Sequence, residues 1–414
     1  MQITKTDYEP GLLEKWQNLV SPEIITELLG SFVRKFDQVI RNVSQRIHFN
    51  VYLLGLMSDL ERKSIEPIAL NLVGQEAVRP MQQFLTRSSF NDDLVLENYQ
   101  NLVAERLSHP GGMLSTDGSD FPKSGKHSVG VGRQYCGTLG KVENCQAGVF
   151  VAYASENGYA LLERELYFQD FWFSDEYAEM RKKCCVDCNR EFQTKNEIAF
   201  EMIQNVTKRQ ILDINWIGAD SAFGSDHGFL DALPREIPYF VAVKSNEKIF
   251  LNKNDTRAIC VKTLAEDATF KWEKSYIFNG SKGAVYSDTK IIRVFESRTI
   301  NNKPQPQSVI WVYIRKFENG DIKYFISNAL ENTPESELHK AATLRWPIEQ
   351  CFLECKSYLG MGHFEGRTYG GLMRHWLFVM IAHFFATSLR LELKKRDPNN
   401  LANGSFVDIC CIFW

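Results

Sequence analysis

Residues 345–356 read RWPIEQCFLECK, and both fold and function turn on how they are arranged. At 3.6 residues per turn, Arg345, Glu349, Phe352 and Lys356 fall on one helical stripe, within a sector of roughly 60°. That stripe carries a cation, a carboxylate, an aromatic ring and a second cation. Phe352 is placed to seat the face against a core. Glu349, flanked by two positive charges, is expected to stay ionised at neutral pH. A carboxylate held between cations suits a site that brings a metal ion and a polyanion together. An amphipathic helix stapled by its own salt bridges explains the same stripe without any site. The rest of the chain decides between the two.

The chain has 414 residues, enough for two or three domains and a large core. Its 44% hydrophobic and 24% charged residues are ordinary for a globular protein. A net charge of −3 excludes a global basic field, so any polyanion site has to be built locally from lysines and arginines. Ten cysteines in a chain this long do not make a disulfide scaffold, and no secretion-like segment opens the sequence. A reduced, cytoplasmic setting follows. Cys184, Cys185 and Cys188, in CCVDC, form half a zinc site; Cys351 and Cys355 are candidates for the other half, with incidental cysteines the simpler reading. His375–Leu391 is the most apolar run. It falls short of the ~20 residues that span a bilayer and contains two histidines, so it reads as a buried helix and not as a membrane segment.

Residues 1–108 read as a helical domain. Ser21-Pro22-Glu23 is a helix start, Asn91-Asp92-Asp93 caps the last helix, and no helix-turn-helix stands out. His109-Pro110-Gly111-Gly112 breaks the pattern. From there, Met113–Thr116, Ser128–Tyr135, Asn144–Ala154 and Tyr159–Phe168 read as strands, with Asn157-Gly158 as a hairpin turn. Thr194–Gln210 reads as a helix, Ile214–Ala219 as a strand, Gly228–Leu233 as a helix and Pro238–Val243 as a strand. With Met113–Thr116 as the leading strand, this run of strands, then a helix, a strand, a helix and a strand, gives a mixed α/β fold with the element order of an RNase H-like sheet. Residues 109–244 are then the first part of a catalytic core. Residues 245–335 read as a β-rich insertion, through Thr269–Ile277, Lys290–Glu296, Ser308–Lys316 and Lys323–Ser327. In that insertion Trp311 and Tyr313 either stack on bases or, more simply, alternate into a core. Residues 336–395 complete the catalytic core with the glutamate helix and a C-terminal helix, and 396–414 form a tail.

Three acids stand out in this arrangement: Asp117 after the strand Met113–Thr116, Asp220 after the strand Ile214–Ala219, and Glu349 on the helix. Neighbouring strands bring the two aspartates together. Such a trio can hold two Mg²⁺ ions, with Mn²⁺ able to substitute, for in-line phosphodiester displacement. Lys123, Lys126 and Arg133 follow the first aspartate, and Arg345 and Lys356 flank the glutamate; those cations are placed to hold a DNA backbone. Asp120 is a rival to Asp117, and the spacing to Lys123 and SVGV favours Asp117.

Several blocks resemble bacterial insertion-sequence transposases of the DDE type, in the IS-four-like and IS-seven-oh-one group. They are DGSDFPKSGKHSVGVGRQYCGTLGKVENCQAGVFVAYAS from Asp117, GADSAFG around Asp220, and RWPIEQCFLECKSYLG from Arg345, with TKNEIAFEMI and FLTRSSFNDD also similar. The resemblance covers about residues 50–390 and implies an RNase H-like catalytic domain that cuts and pastes DNA. It implies Asp117, Asp220 and Glu349 as the metal-binding triad and double-stranded DNA, element ends and target, as partner. It also implies a homodimer on DNA at the nucleoid. The group's glutamate-helix signature is Tyr, two residues, Arg, three residues, Glu, six residues, Lys. Arg345, Glu349 and Lys356 match it, and Ala342 stands at the tyrosine position. After Asp220, Ser221 and Phe223 replace the acid and the tyrosine frequent in the group. The alternative is a transposase-derived DNA-binding protein that has lost catalysis, which the intact acid trio disfavours. A carboxylate-pair glycosidase leaves the cationic stripe unexplained.

Overall fold

The computed structural model describes residues 22–280 and 283–396. The expected cap at Ser21 and the tail beyond Arg396 lie outside the described residues. Five helices come first: α1 (Pro22–Arg34), α2 (Val43–Met57), α3 (Ile65–Leu72), α4 (Val78–Arg87) and α5 (Asp92–Leu107). Asparagines start two of them. Asn42 Oδ1 accepts from the Gln45 amide at 3.2 Å, and Asn91 Oδ1 from the Asp93 and Leu94 amides at 2.8 and 3.3 Å, which satisfies donors a first turn leaves orphaned.

The sheet then begins with β1 (Met113–Pro122), β2 (Gly132–Cys136), β3 (Lys141–Ser155) and β4 (Gly158–Tyr167), all paired antiparallel through β3. After α6 (Ala178–Lys183), α7 (Lys195–Lys208) starts at a reciprocal capping box between Thr194 and Glu197. It leads to β5 (Trp216–Ala219), α8 (Ser221–Gly224), α9 (His227–Ala232) and β6 (Tyr239–Val243). β5 lies parallel to β1, and β6 parallel to β5. This is the mixed, RNase H-like order expected from the sequence.

β1 is longer than the reading Met113–Thr116. Its pairing with β5 ends at Thr116↔Ala219, but its ladder with β3 continues to Pro122↔Cys145. Asp117 is therefore inside a strand, at the point where the parallel neighbour stops. The second strand is also shorter than expected, starting at Gly132.

The strands after residue 245 extend this same sheet. They are β7 (Lys248–Phe250), β8 (Ile259–Cys260), then after α10 (Val261–Glu266) β9 (Glu273–Gly280), β10 (Gly283–Ile300), β11 (Lys303–Lys316) and β12 (Ile322–Ser327). β12 pairs antiparallel with β6, so the sheet runs to twelve strands. Asn301 and Asn302, with φ of 51° and 59°, make the left-handed two-residue turn between β10 and β11 that a tight hairpin needs. Tyr313 is fully buried with its hydroxyl 2.9 Å from His339 Nδ1, and Trp311 Nε1 donates to the Leu330 carbonyl at 3.2 Å, so both serve packing.

Three helices close the fold: α11 (Glu335–Leu344), α12 (Pro347–Tyr358) and α13 (Tyr369–Arg396). The expected single helix through 345–356 is broken. Arg345 caps the end of α11, and Pro347 opens α12, because a proline has no amide to continue the previous ladder yet is pre-set for a first turn. α13 is the core helix. Its apolar stretch Tyr369–Glu392 is long and apolar enough to cross a bilayer, but the apolar 18-residue window within it is 100% buried in the protein. Trp376 packs on Phe121 and Phe150 at 5.2 Å each, and Phe378 on Phe49 and Phe84 of the helical front at 5.1 and 5.7 Å. A second, smaller core joins Met113, Trp216, Phe240, Tyr313 and Phe325 to Leu338, Ala341 and Ala342 of α11.

Candidate active site

Side chains alternate along a strand, so Met113, Ser115 and Asp117 share a face of β1, and Gly218 and Asp220 share the matching face at β5. Ser115 pairs with Gly218 and Thr116 with Ala219, which makes Asp117 and Asp220 the next neighbours beyond the last parallel pair. A Cβ on Gly218 would lie 2.7 Å from Ser115 Oγ, 2.9 Å from Met113 Sδ and 3.3 Å from Arg345 Cγ. Glycine there is what lets Arg345 lie down across the strands beside the aspartates.

Each acid is held by one oxygen. Asp117 Oδ1 accepts the Gly118 amide at 2.7 Å. Asp220 Oδ1 caps α8, accepting from the Ala222 and Phe223 amides at 2.9 and 3.3 Å. Glu349 Oε1, in the first turn of α12, takes an ion pair from Arg345 Nη2. The other oxygen of each has no donor among the described residues. Burial, then the negative charge of Asp220, push the Asp117 carboxyl up to about 7; Arg345 and the Gly118 amide pull it back and Glu349 adds to the rise. The three acids therefore feel one another across one site.

As they stand, no three His, Cys, Asp or Glu side chains among the described residues close a metal site, this trio included. Glu349 is engaged with Arg345. The donor set still fits a divalent cation: hard oxygens, one free on each acid, with two acids side by side. Arg345 Nη1 and Ser115 Oγ are buried beside them without a hydrogen-bond partner among the described residues. The cysteine cluster offers no rival. Cys184 is buried against the His127 carbonyl at 3.6 Å, Cys185 and Cys188 are exposed, and Cys351 and Cys355 point into the core.

Asp120 has another task. Three residues along a strand it faces away from Asp117, and its Oδ2 accepts the Gly137 amide at 2.7 Å in the β2–β3 turn. Lys356 is docked at the same turn, donating to the Asp120 carbonyl at 2.9 Å and Thr138 Oγ1 at 3.0 Å, with its ammonium over the Phe121 ring. Lys123 is also committed, to the carbonyls of Gly362 and Phe364 at 3.0 and 2.8 Å; burial first, then Arg62, bring it down to about 8. Of the five expected DNA-facing cations, Lys126 and Arg133 are exposed with no bond to a described side chain, while Arg345, Lys123 and Lys356 are engaged inside the protein. A groove of about 580 Å³ is lined by Lys123 and His127, by Lys356, His363 and Arg367, and by Arg62 from the helical front, three segments far apart in sequence. Ala342, at the signature's tyrosine position, is buried in the second core and faces no solvent.

The turn after Asp220 is tight. Phe223 is buried against Phe229 at 5.6 Å, and a Cβ on Gly224 would stand 2.1 Å from the Ala242 carbonyl oxygen. Gly224→Ala is expected to push α8 off β6, at a cost of about 2–3 kcal/mol. Thermal denaturation reads the loss, and an unchanged melting temperature would show that β6 yields.

Residues 35–258 match the DDE superfamily endonucleases, and residues 196–385 match the transposase DDE domain. A probable transposase for insertion sequence element IS701 from Microchaete diplosiphon is 27% identical over 203 residues, 49% of this chain and 50% of that protein. The chain thus spans about half the length of that curated relative. With the first match covering more than half of the chain and running through both strand aspartates, the protein belongs to the DDE superfamily of endonucleases.

Proposed function

We propose that the chain is a transposase that binds the terminal inverted repeats of an insertion sequence, cleaves the DNA ends and joins their 3′ ends to target DNA. The observation that carries this reading is the placement of Asp117 and Asp220 side by side just past the last parallel pair, with Glu349 close enough to raise Asp117 further. Asp117, Asp220 and Glu349 are the residues that would hold two Mg²⁺ or Mn²⁺ ions. Bound there, the ions would activate a water or a 3′-hydroxyl and stabilise the leaving oxygen. Arg345 holds Glu349 in place beside the aspartates through its Nη2. Lys126 and Arg133 reach the backbone from the exposed side, while Lys123 and Lys356 brace the loops that border it. A protomer on each element end makes the working unit a homodimer on DNA, in the cytoplasm at the nucleoid, away from any membrane.

The test is cleavage of a duplex carrying the element's own ends, with the full chain, in Mg²⁺, in Mn²⁺ and in chelator. Strand cleavage is expected with either ion and absent in chelator. Binding without cleavage under every condition would leave a DNA-binding protein that has lost its chemistry.

A further inference from the structure

A groove of about 540 Å³ lies between α2 and α4, away from the carboxylates. Its polar lining includes Ser44, Gln45, His48, Gln83, Arg87 and Ser88, and no carboxylate lines it. Arg79, Gln83 and Arg87 recur every fourth residue, so they form one stripe along α4. All three are exposed, and none bonds to a described residue through its side chain. Along α2, Val43 and Ile47 are 61% and 55% exposed, one turn apart, beside the polar wall. Two nearby acids are already neutralised, Asp37 by Arg46 at 3.6 Å and Asp92 by Arg374 at 2.7 Å, while Glu76, one turn before Arg79, is exposed outside the groove lining.

We infer that this groove is a sequence-reading surface for duplex DNA, with the Arg79–Gln83–Arg87 stripe set against base edges in the major groove. The inference rests on the DNA-transposing reading above. Its chemistry is independent of the catalytic acids. Glutamine reads adenine and arginine reads guanine through paired hydrogen bonds, and methyl-bearing side chains meet the thymine methyl. A helix with its side chains, about 10–12 Å across, matches the width of the major groove. The groove's own lining carries no carboxylate, which lets a polyanion approach it. Free amide and guanidinium groups on one stripe also cost nothing to redirect, since no internal bond has to break.

Selection from a randomised duplex pool with the full chain tests it. Wild type is expected to enrich a defined motif. Gln83→Ala, which changes no charge, is expected to lose preference at one base pair, with about tenfold weaker binding to the motif and unchanged binding to unrelated duplex. Arg87→Ala is expected to relax a second position and weaken both. Circular dichroism guards against misfolding, since both side chains are exposed. Enrichment of the same motif with the same preference by Gln83→Ala and Arg87→Ala would overturn the inference and leave the DNA-transposing reading standing. Wild type that binds duplex without any preference would overturn the inference and, with it, the reading of the terminal repeats. Wild type that binds no duplex would overturn both.

Discussion

Asp117→Asn is expected to abolish metal-dependent cleavage and, in the same protein without divalent ions, to raise stability at pH 8. The two effects have one cause. Burial, with Asp220 next to it, pushes the Asp117 carboxyl from 3.8 up to about 7. The unfolded chain ionises that carboxyl near its ordinary value, while the folded chain holds the proton until about 7. Between those values the unfolded state binds fewer protons, so stability falls as pH rises. The contribution is whole below pH ~4, drains through the window up to about 7 and stays lost above it. The ceiling is about 4 kcal/mol, and the half-buried position of Asp117 brings the effect down to a fraction of that. Asparagine keeps the shape and the Gly118 contact but cannot ionise. Wild type should therefore melt lower at pH 8 than at pH 5 in chelator by a few degrees more than Asp117→Asn does. Cleavage should fall by roughly 10³-fold or more, the scale of losing a group that holds charge at the reacting centre. Asp220→Ala should lose cleavage equally without the gain in stability, because Asp220 also caps α8. Retained cleavage in Asp117→Asn would move the chemistry elsewhere on the sheet.

Much of this arrangement is legible in the sequence because it follows from periodicity. Two short apolar strands that each lead into an aspartate, in the element order of an RNase H-like sheet, point to two neighbouring carboxylates, and Asp117 and Asp220 are found side by side. Other features need the third dimension. A pattern read at 100° per residue runs straight through Arg345-Trp346-Pro347, although proline at a first helical position is itself a start signal. Gly118, Ser119 and Asp120 have low strand propensity, and only the ladder to β3 carries β1 through them. Lys123 and Lys356 are near the acids in sequence, but nearness does not reveal that backbone carbonyls already claim their ammonium groups. Arg62 and Arg367 come to one groove from opposite ends of the chain, and no local pattern joins them. Ala342 departs from the expected signature, and its burial in the second core, on the inward face of α11, explains why a small residue is accommodated there.

Glu354→Ala is expected to cost about 3–5 kcal/mol of stability and to take cleavage with it, although Glu354 touches no substrate. Glu354 is 1% exposed. Its Oε2 lies 2.7 Å from His383 Nε2 on α13, and its Oε1 accepts from the Tyr159 hydroxyl on β4 at 2.9 Å and from Gln350 at 2.8 Å. Arg390 stands 3.7 Å away. Burial alone would raise this carboxyl; the bond to His383, its charge, Arg390 and Gln350 override that and hold it below the usual range. A depressed carboxyl adds stability above its unfolded value, and that stability is lost as pH falls through the folded one. Five residues separate Glu349 from Glu354, so the two carboxylates project from nearly opposite sides of α12. The inner one fixes the helix to β4 and α13, and the outer one is thereby presented to the aspartates. Alanine would leave a void and take from the Tyr159 hydroxyl its buried acceptor, and α12 would lose its register against the sheet. Glu354→Gln keeps the volume and part of the bonding, so it should lie between wild type and alanine in denaturant midpoint. Denaturation and cleavage should fall together across this pair, whereas at Asp117 they move in opposite directions. A Glu354→Ala protein as stable as wild type, or stable and inactive, would remove the buried network as the support of Glu349.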